Sequence, residues 1–262
     1  MRHRPLPLVV AAAAAIALAG TVGPAPAQAE PFAGGGPSGT ITVSAASSLT
    51  DVLPVIATAF QRKYPGTTVR FNFGGSPSLV EQVNAGAPVD VLITASEPSM
   101  AKAVAAGTVR RPLLIATNTM AIAVPPGNPA GIRSLADLAR PGVSVALCAP
   151  AVPCGAAALA LLAHNGVTVT PATQELDVRA VLGKVMADEV DAGIVYATDV
   201  RAVGTRVASV PIPASGNVTT TYPVARVSAA PNPVAAGIFV SYLRFTPSAQ
   251  GILRAYGFGR PW

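Results

Sequence analysis

Four stretches of the chain bring a hydroxyl or a small residue to the point where a β-rich run gives way to an amphipathic helix. They are ITVSAASSLTDV (Ile41 to Val52), VRFNFGGSPSLVEQV (Val69 to Val83), VALCAPAVPCGAAALALL (Val145 to Leu162), and the helix start Asp177, Val178, Arg179, with GIVYATD following. The first N–H groups of a helix have no intrahelical acceptor, and the helix dipole is positive there. Such ends bind anions. Several of them converging would hold an oxyanion.

The elements that must position these residues can be read from periodicity. Ile41 to Ala46 reads as a strand, followed by a helical apolar face at Leu49, Val52, Leu53, Ile56 and Phe60. Thr68 to Phe73 is the next strand. Ser76 precedes Pro77 as a helix cap, with Ser78-x-x-Glu81 as a competing capping box. Asp90 to Ala95 (strand) and Pro98 to Gly107 (helix) complete a βαβα order, which implies a mostly parallel sheet covered on both faces. After Pro125 to Pro129 a second α/β series follows. It comprises a helix opened by Ser134, a strand at Val143 to Leu147, helices at Gly155 to His164 and Val178 to Asp188, and a strand at Ala192 to Tyr196. A strand near Tyr222 and helices over Pro233 to Phe245 and Ser248 to Tyr256 close the chain.

The first residues have the pattern of an export signal. Arg2 and Arg4 lead an uncharged apolar run from Leu8 to Gly20, too short to cross a bilayer, and Ala27-Gln28-Ala29 fits a small-x-small cleavage site. Residues 1–29 are therefore expected to be removed, with 30–39, rich in glycine and proline, a flexible lead-in. The mature chain carries a net charge of +4, spread thinly, with no basic cluster longer than Arg110-Arg111. That distribution lacks the basic stripe of a nucleic-acid binder. The expectation is an exported, soluble protein, periplasmic or in the cell envelope. Such a location excludes the effector half of a transcription regulator.

Cys148 and Cys154 are the two cysteines of the chain. In an oxidising compartment they are expected to form a disulfide that stiffens the loop ahead of the Gly155 helix. Catalysis is disfavoured by missing parts. His3 leaves with the signal, and His164 sits at a helix end before Asn165-Gly166. There is no P-loop or G-x-S-x-G elbow. Asp188, Glu189 and Asp191 read as a solvated helix end rather than a metal site.

The runs ITVSAASSLTDV, GGSPSLVEQVNAGAPVDVLITAS, VPCGAAA, LDVRAVLGKVMADEVDAGIVYATD, YPVA and AQGILRAYGFG together resemble the substrate-binding proteins of molybdate ABC transporters. That resemblance covers nearly the whole mature chain. It implies an α/β, two-lobed type II periplasmic-binding-protein fold, each lobe a mostly parallel sheet flanked by helices, with the ligand in the interlobe cleft. The implied lobes are 40–120 with 221–262, and 121–220. In the family a tetrahedral oxyanion is held by hydroxyl and N–H donors without a cationic partner.

Carried over residue by residue, the oxyanion ligands fall on Ser48, Ser76, Cys154, Val178 and Tyr196. The serines give hydroxyls and N–H groups, Cys154 and Val178 give N–H groups, and Tyr196 gives a phenol. Cys154 departs from the alanine usual in the family. The resemblance further implies molybdate or tungstate as ligand, no cofactor and no direct metal ligands. The partners would be a membrane permease and its ATPase, and the receptor a monomer that closes near Thr119 to Val124 and Thr219 to Val224. The alternative is a receptor of the same fold for another tetrahedral oxyanion such as sulfate.

Overall fold

The computed structural model describes Met1 and residues 36–261. Residues 36–261 lie within one unit. The residues read as an export signal, apart from Met1, and the lead-in up to residue 35 lie outside the described residues. No helix among the described residues is long and apolar enough to cross a membrane.

The chain opens with β1 (Gly39–Ala46), a 3-10 turn (Ser47–Leu49) and α1 (Val52–Lys63). Then come β2 (Thr67–Gly74), α2 (Ser76–Asn84), β3 (Val91–Ile93), α3 (Glu97–Ala105) and the long β4 (Leu113–Val124). The second series is β5 (Val145–Cys148), α4 (Pro153–His164), β6 (Thr173–Glu175), α5 (Val178–Met186), β7 (Ala192–Tyr196), α6 (Ala197–Val203) and β8 (Ala208–Val210). It returns through β9 (Thr219–Arg226) to α7 (Pro233–Phe245) and α8 (Pro247–Ala255).

The strands run in the order β2-β1-β3-β9-β4-β7-β5-β6, with β8 beside β4. Pairings of β1 with β2 and β3, and of β5 with β6 and β7, are parallel. Every antiparallel pairing between these named strands involves β4 or β9. Along β4 the partner changes. Residues up to Thr119 pair with β9, whereas Met120 to Ala123 pair with β7. One strand thus belongs to two half-sheets, and the chain passes between halves at β4 and again at β9. This is the two-lobed α/β arrangement.

The first half is built on Ile41, Val43, Leu53, Ile56 and Phe60, all fully buried. The C-terminal helices join it: the Phe60 ring meets Phe239 edge-on at 5.0 Å and Tyr242 at 5.2 Å. Burial of such aromatic and aliphatic side chains is the main driving force for docking the tail.

Several local expectations change in the structure. Leu49 is buried but lies in the 3-10 turn rather than in α1. The SLADLAR segment forms only a 3-10 turn over Ala136–Ala139, because Pro141 and Gly142 stop it after two apolar positions. Three short elements, β6, α6 and β8, were not expected. They lack the length and alternation that mark an element in sequence.

Candidate functional site

Three of the four strand-to-helix stretches supply hydroxyls or small residues to one cavity, and the fourth supplies its helix start. The cavity is lined by Ala46, Ser47 and Ser48 after β1, and by Gly74, Gly75 and Ser76 between β2 and α2. From the other half come Pro153 and Cys154 of α4, Asp177 and Val178 at α5, and Tyr196. The space between these residues is about 190 Å³ with its solvent-open mouth included, and it is narrow inside. All five residues expected to bind the anion line it, three from the second half and two from the first.

Each helix start leaves donors over for local reasons. At α5, Asp177 is the cap, and its carboxylate accepts from the N–H groups of Arg179 (2.7 Å) and Ala180 (3.1 Å). The Val178 N–H, first in the helix, is left without an intrahelical acceptor. At α4, Pro153 occupies the first helical position and has no N–H to lose, so the Cys154 N–H is the first donor. The Cys148–Cys154 disulfide closes the loop directly before it, with Cα atoms 5.7 Å apart. Neither Ser48 nor Ser76 serves as a helix cap. Ser76 is the first residue of α2, after Gly75, and its Oγ accepts from the Ala95 N–H at 3.1 Å. Ser78, read as a capping-box residue, lies inside the helix and accepts from Gln82. Ser48 Oγ lies 2.9 Å from Tyr222 Oη, on β9.

Tyr196 is fully buried, and its hydroxyl makes no contact of hydrogen-bond geometry among the described residues, the nearby and likewise unpaired Thr220 hydroxyl included. A buried hydroxyl left unpaired costs about 1–3 kcal/mol. Burial, reinforced by Tyr222 and Asp199, pushes its pKa well above the usual phenol range. It therefore remains a neutral O–H donor.

The lining contains no lysine, arginine or histidine, and its single carboxylate is the capping Asp177. Just outside it, Arg179 joins the halves. Its guanidinium pairs with Asp51 from the first half and, at 3.2 Å through Nε, with Asp199 of α6. Burial raises Asp199 to about 7 against the pull of Arg179, and its other oxygen accepts the Tyr196 N–H at 3.1 Å. Another contact between halves is backbone on backbone. A Cβ on Gly75 would overlap the Leu176 carbonyl oxygen.

The remaining candidates have local partners. His164 Nε2 lies 3.2 Å from the Ser215 carbonyl oxygen. Asp191 accepts from Ser144, and Glu189 pairs with Lys184. No group of three metal-ligating side chains occurs among the described residues. Sequence reasoning missed Asn118, Tyr222 and Arg179. Tyr222 lay within the quoted YPVA run but had no assigned role, and nothing near Asn118 in sequence points to Ser48.

Comparison with known proteins bears on the family and the fold. The family of bacterial extracellular solute-binding proteins matches residues 41–259. The molybdate-binding protein ModA of Mycobacterium tuberculosis is 36% identical over 239 residues, covering 91% of this chain and 90% of the relative. Two solved structures are similar in fold. The periplasmic molybdate-binding protein of Azotobacter vinelandii has a TM-score of 0.74 at 20% identity, over 85% of this chain and all of that one. The sulfate-binding protein SubI of M. tuberculosis has the same TM-score at 22% identity, over 84% and 86%. With its strand order, its cation-free cleft and a match along nearly all of its described length, the chain belongs to the bacterial extracellular solute-binding protein family, with ModA among its relatives.

Proposed function

We propose that this protein is the receptor of an ABC importer for molybdate, and that it also takes tungstate. The observation that carries this reading is the joint placement of Ser48, Ser76, Cys154, Val178 and Tyr196 around one cavity without a cation, Tyr196 bringing an unpaired buried hydroxyl. Donors of this kind hold a dianion by charge-assisted hydrogen bonds, which are about twice as strong as neutral ones. The similarity to ModA points to molybdate within that chemistry.

In this reading the lobes are 40–120 with 221–262, and 121–220, and they close over the anion about β4 and β9. The change of partner along β4 at Thr119 and Met120 supports that division. An anion that contacts both lobes only when they meet favours the closed form. The closed protein then delivers its cargo to a membrane permease driven by an ATPase. The protein acts as an exported monomer, cut after Ala29, that captures and releases without chemistry and needs no cofactor. Sulfate is the second reading, favoured by the fold shared with SubI.

The test is calorimetric titration of residues 30–262 with molybdate, tungstate, sulfate and phosphate at one pH and ionic strength. One-to-one binding of the first two, with the others silent, is the expected result. Binding of sulfate with molybdate silent would replace the substrate while keeping the site.

A further inference from the structure

The two cleft serines differ in how their protons are directed. Ser76 Oγ accepts from the Ala95 backbone N–H, which can only donate, so the Ser76 proton is free for the cavity. For Ser48 the same result is reached through side chains. Asn118, buried on β4, accepts the Thr119 N–H on its Oδ1 at 3.0 Å. Its Nδ2 therefore faces Thr198 Oγ1 at 2.7 Å and Tyr222 Oη at 3.2 Å. An amide nitrogen has two protons and no acceptor capacity, so both contacts are donations.

Tyr222 then has one proton to place. It is fully buried, and its polar neighbours are the donating Asn118 Nδ2 and Ser48 Oγ at 2.9 Å. If Ser48 donated to the phenol, the Tyr222 proton would be stranded in the core, at the cost of an unsatisfied buried group. Hence Tyr222 donates to Ser48, and Ser48 must send its proton elsewhere. Its remaining direction is the cavity it lines. The polarity runs one way, from the Thr119 N–H through Asn118 and Tyr222 to Ser48.

We propose that Tyr222, oriented by Asn118, is a positioning residue that fixes the Ser48 hydroxyl as a donor into the cleft and so selects tetrahedral oxyanions without a proton over those that carry one. It rests on the oxyanion reading of the cleft and deepens it. A residue that never touches the anion decides what Ser48 can recognise. A hydrogen phosphate O–H directed at Ser48 meets another donor, whereas an unprotonated oxygen meets a partner.

The test is titration of wild type, Ser48→Ala, Tyr222→Phe and the double variant with molybdate and with inorganic phosphate near neutral pH. Tyr222→Phe is expected to weaken molybdate about tenfold, the worth of one oriented hydrogen bond. In the Ser48→Ala background it should have no further effect, and phosphate, silent against wild type, should become detectable in Tyr222→Phe alone. An equal loss of molybdate affinity in both backgrounds, or phosphate still silent in Tyr222→Phe at saturating concentration, overturns the inference. If wild type binds neither anion, the oxyanion reading itself fails, which is a separate outcome. If Tyr222→Phe does not fold, Asn118→Ala carries the test. It keeps the phenol but frees its acceptor, and the same non-additive pattern is expected at smaller size.

Discussion

Gly75→Ala separates closure of the cleft from stability of the fold. Gly75 has φ −66° and ψ 133°, a conformation open to any residue, so alanine adds no backbone strain. What it meets is the other half. Its Cβ would overlap the Leu176 carbonyl oxygen, with the carbonyl carbon at 3.4 Å. Both partners are backbone, so no side chain can swing aside, and the loops must part by about 1 Å to reach ordinary contact. Hydrogen bonds near 2.9 Å stretched by that amount pass the limit of useful geometry. The Cys154 and Val178 N–H groups would then reach the anion poorly. At about 1.5–3 kcal/mol for each bond to a charged group, and with water replacing part of the loss, affinity should fall by about 2–4 kcal/mol, or roughly 30- to 700-fold. The assay is calorimetric titration with molybdate beside thermal melting without it. Melting should stay within about 0.5 kcal/mol of wild type. An unchanged affinity would refute the reasoning, since the halves would then not need this contact to hold the anion.

Four further outcomes follow from the same structure. Arg179→Met leaves the buried Asp199 carboxylate without its partner, which should cost about 3–5 kcal/mol above neutral pH by chemical denaturation, with Asp199→Asn restoring most of it. Asp51→Asn, at a position more than a third exposed, should cost under about 1 kcal/mol in the same measurement. Asp199 keeps its proton up to about 7 in the folded protein against 3.8 for the free side chain, so folding takes up a proton between these values. Its contribution is complete below about pH 4 and is lost as pH rises through about 7, and Asp199→Asn should flatten that slope in melts across the range. Replacing both Cys148 and Cys154 by serine removes a cross-link at a sequence separation of 6 and should cost about 2 kcal/mol, read from the denaturation midpoint.

The parts of the fold that could be read from sequence were those with strong local signals. Pro233 at a helix start and a long apolar stripe gave α7 its observed bounds, Pro233–Phe245. The Val178 helix was marked by its Asp177 cap. Elements of three residues, such as Thr173–Glu175, carry no periodicity and exist because a neighbouring strand pairs with them. The same division holds at the cavity. Helix starts are local, so four of them pointed to a common anion site. The roles of the serine hydroxyls depend on distant partners: Ser48 on Tyr222, 174 residues away, and Ser76 on Ala95, 19 residues away. No local pattern encodes such pairs, which is why a capping role suggested itself for Ser76.

The relay that sets Ser48 lies on β4 and β9, the strands by which the chain passes between halves. Asn118 and Tyr222 pair through neighbouring residues of those strands, on the first-half side of the change at Met120. In the proposed opening Asn118 would release Thr198 of the second half but keep Tyr222 and, through it, Ser48, so an arriving anion would meet two hydroxyls already aimed before the second half arrives. Time is divided accordingly. On the proposed reading, changes at Ser48, Ser76 or Tyr222 would set how often an encounter becomes a capture, and changes at Cys154, Val178 or Gly75 how long the captive stays.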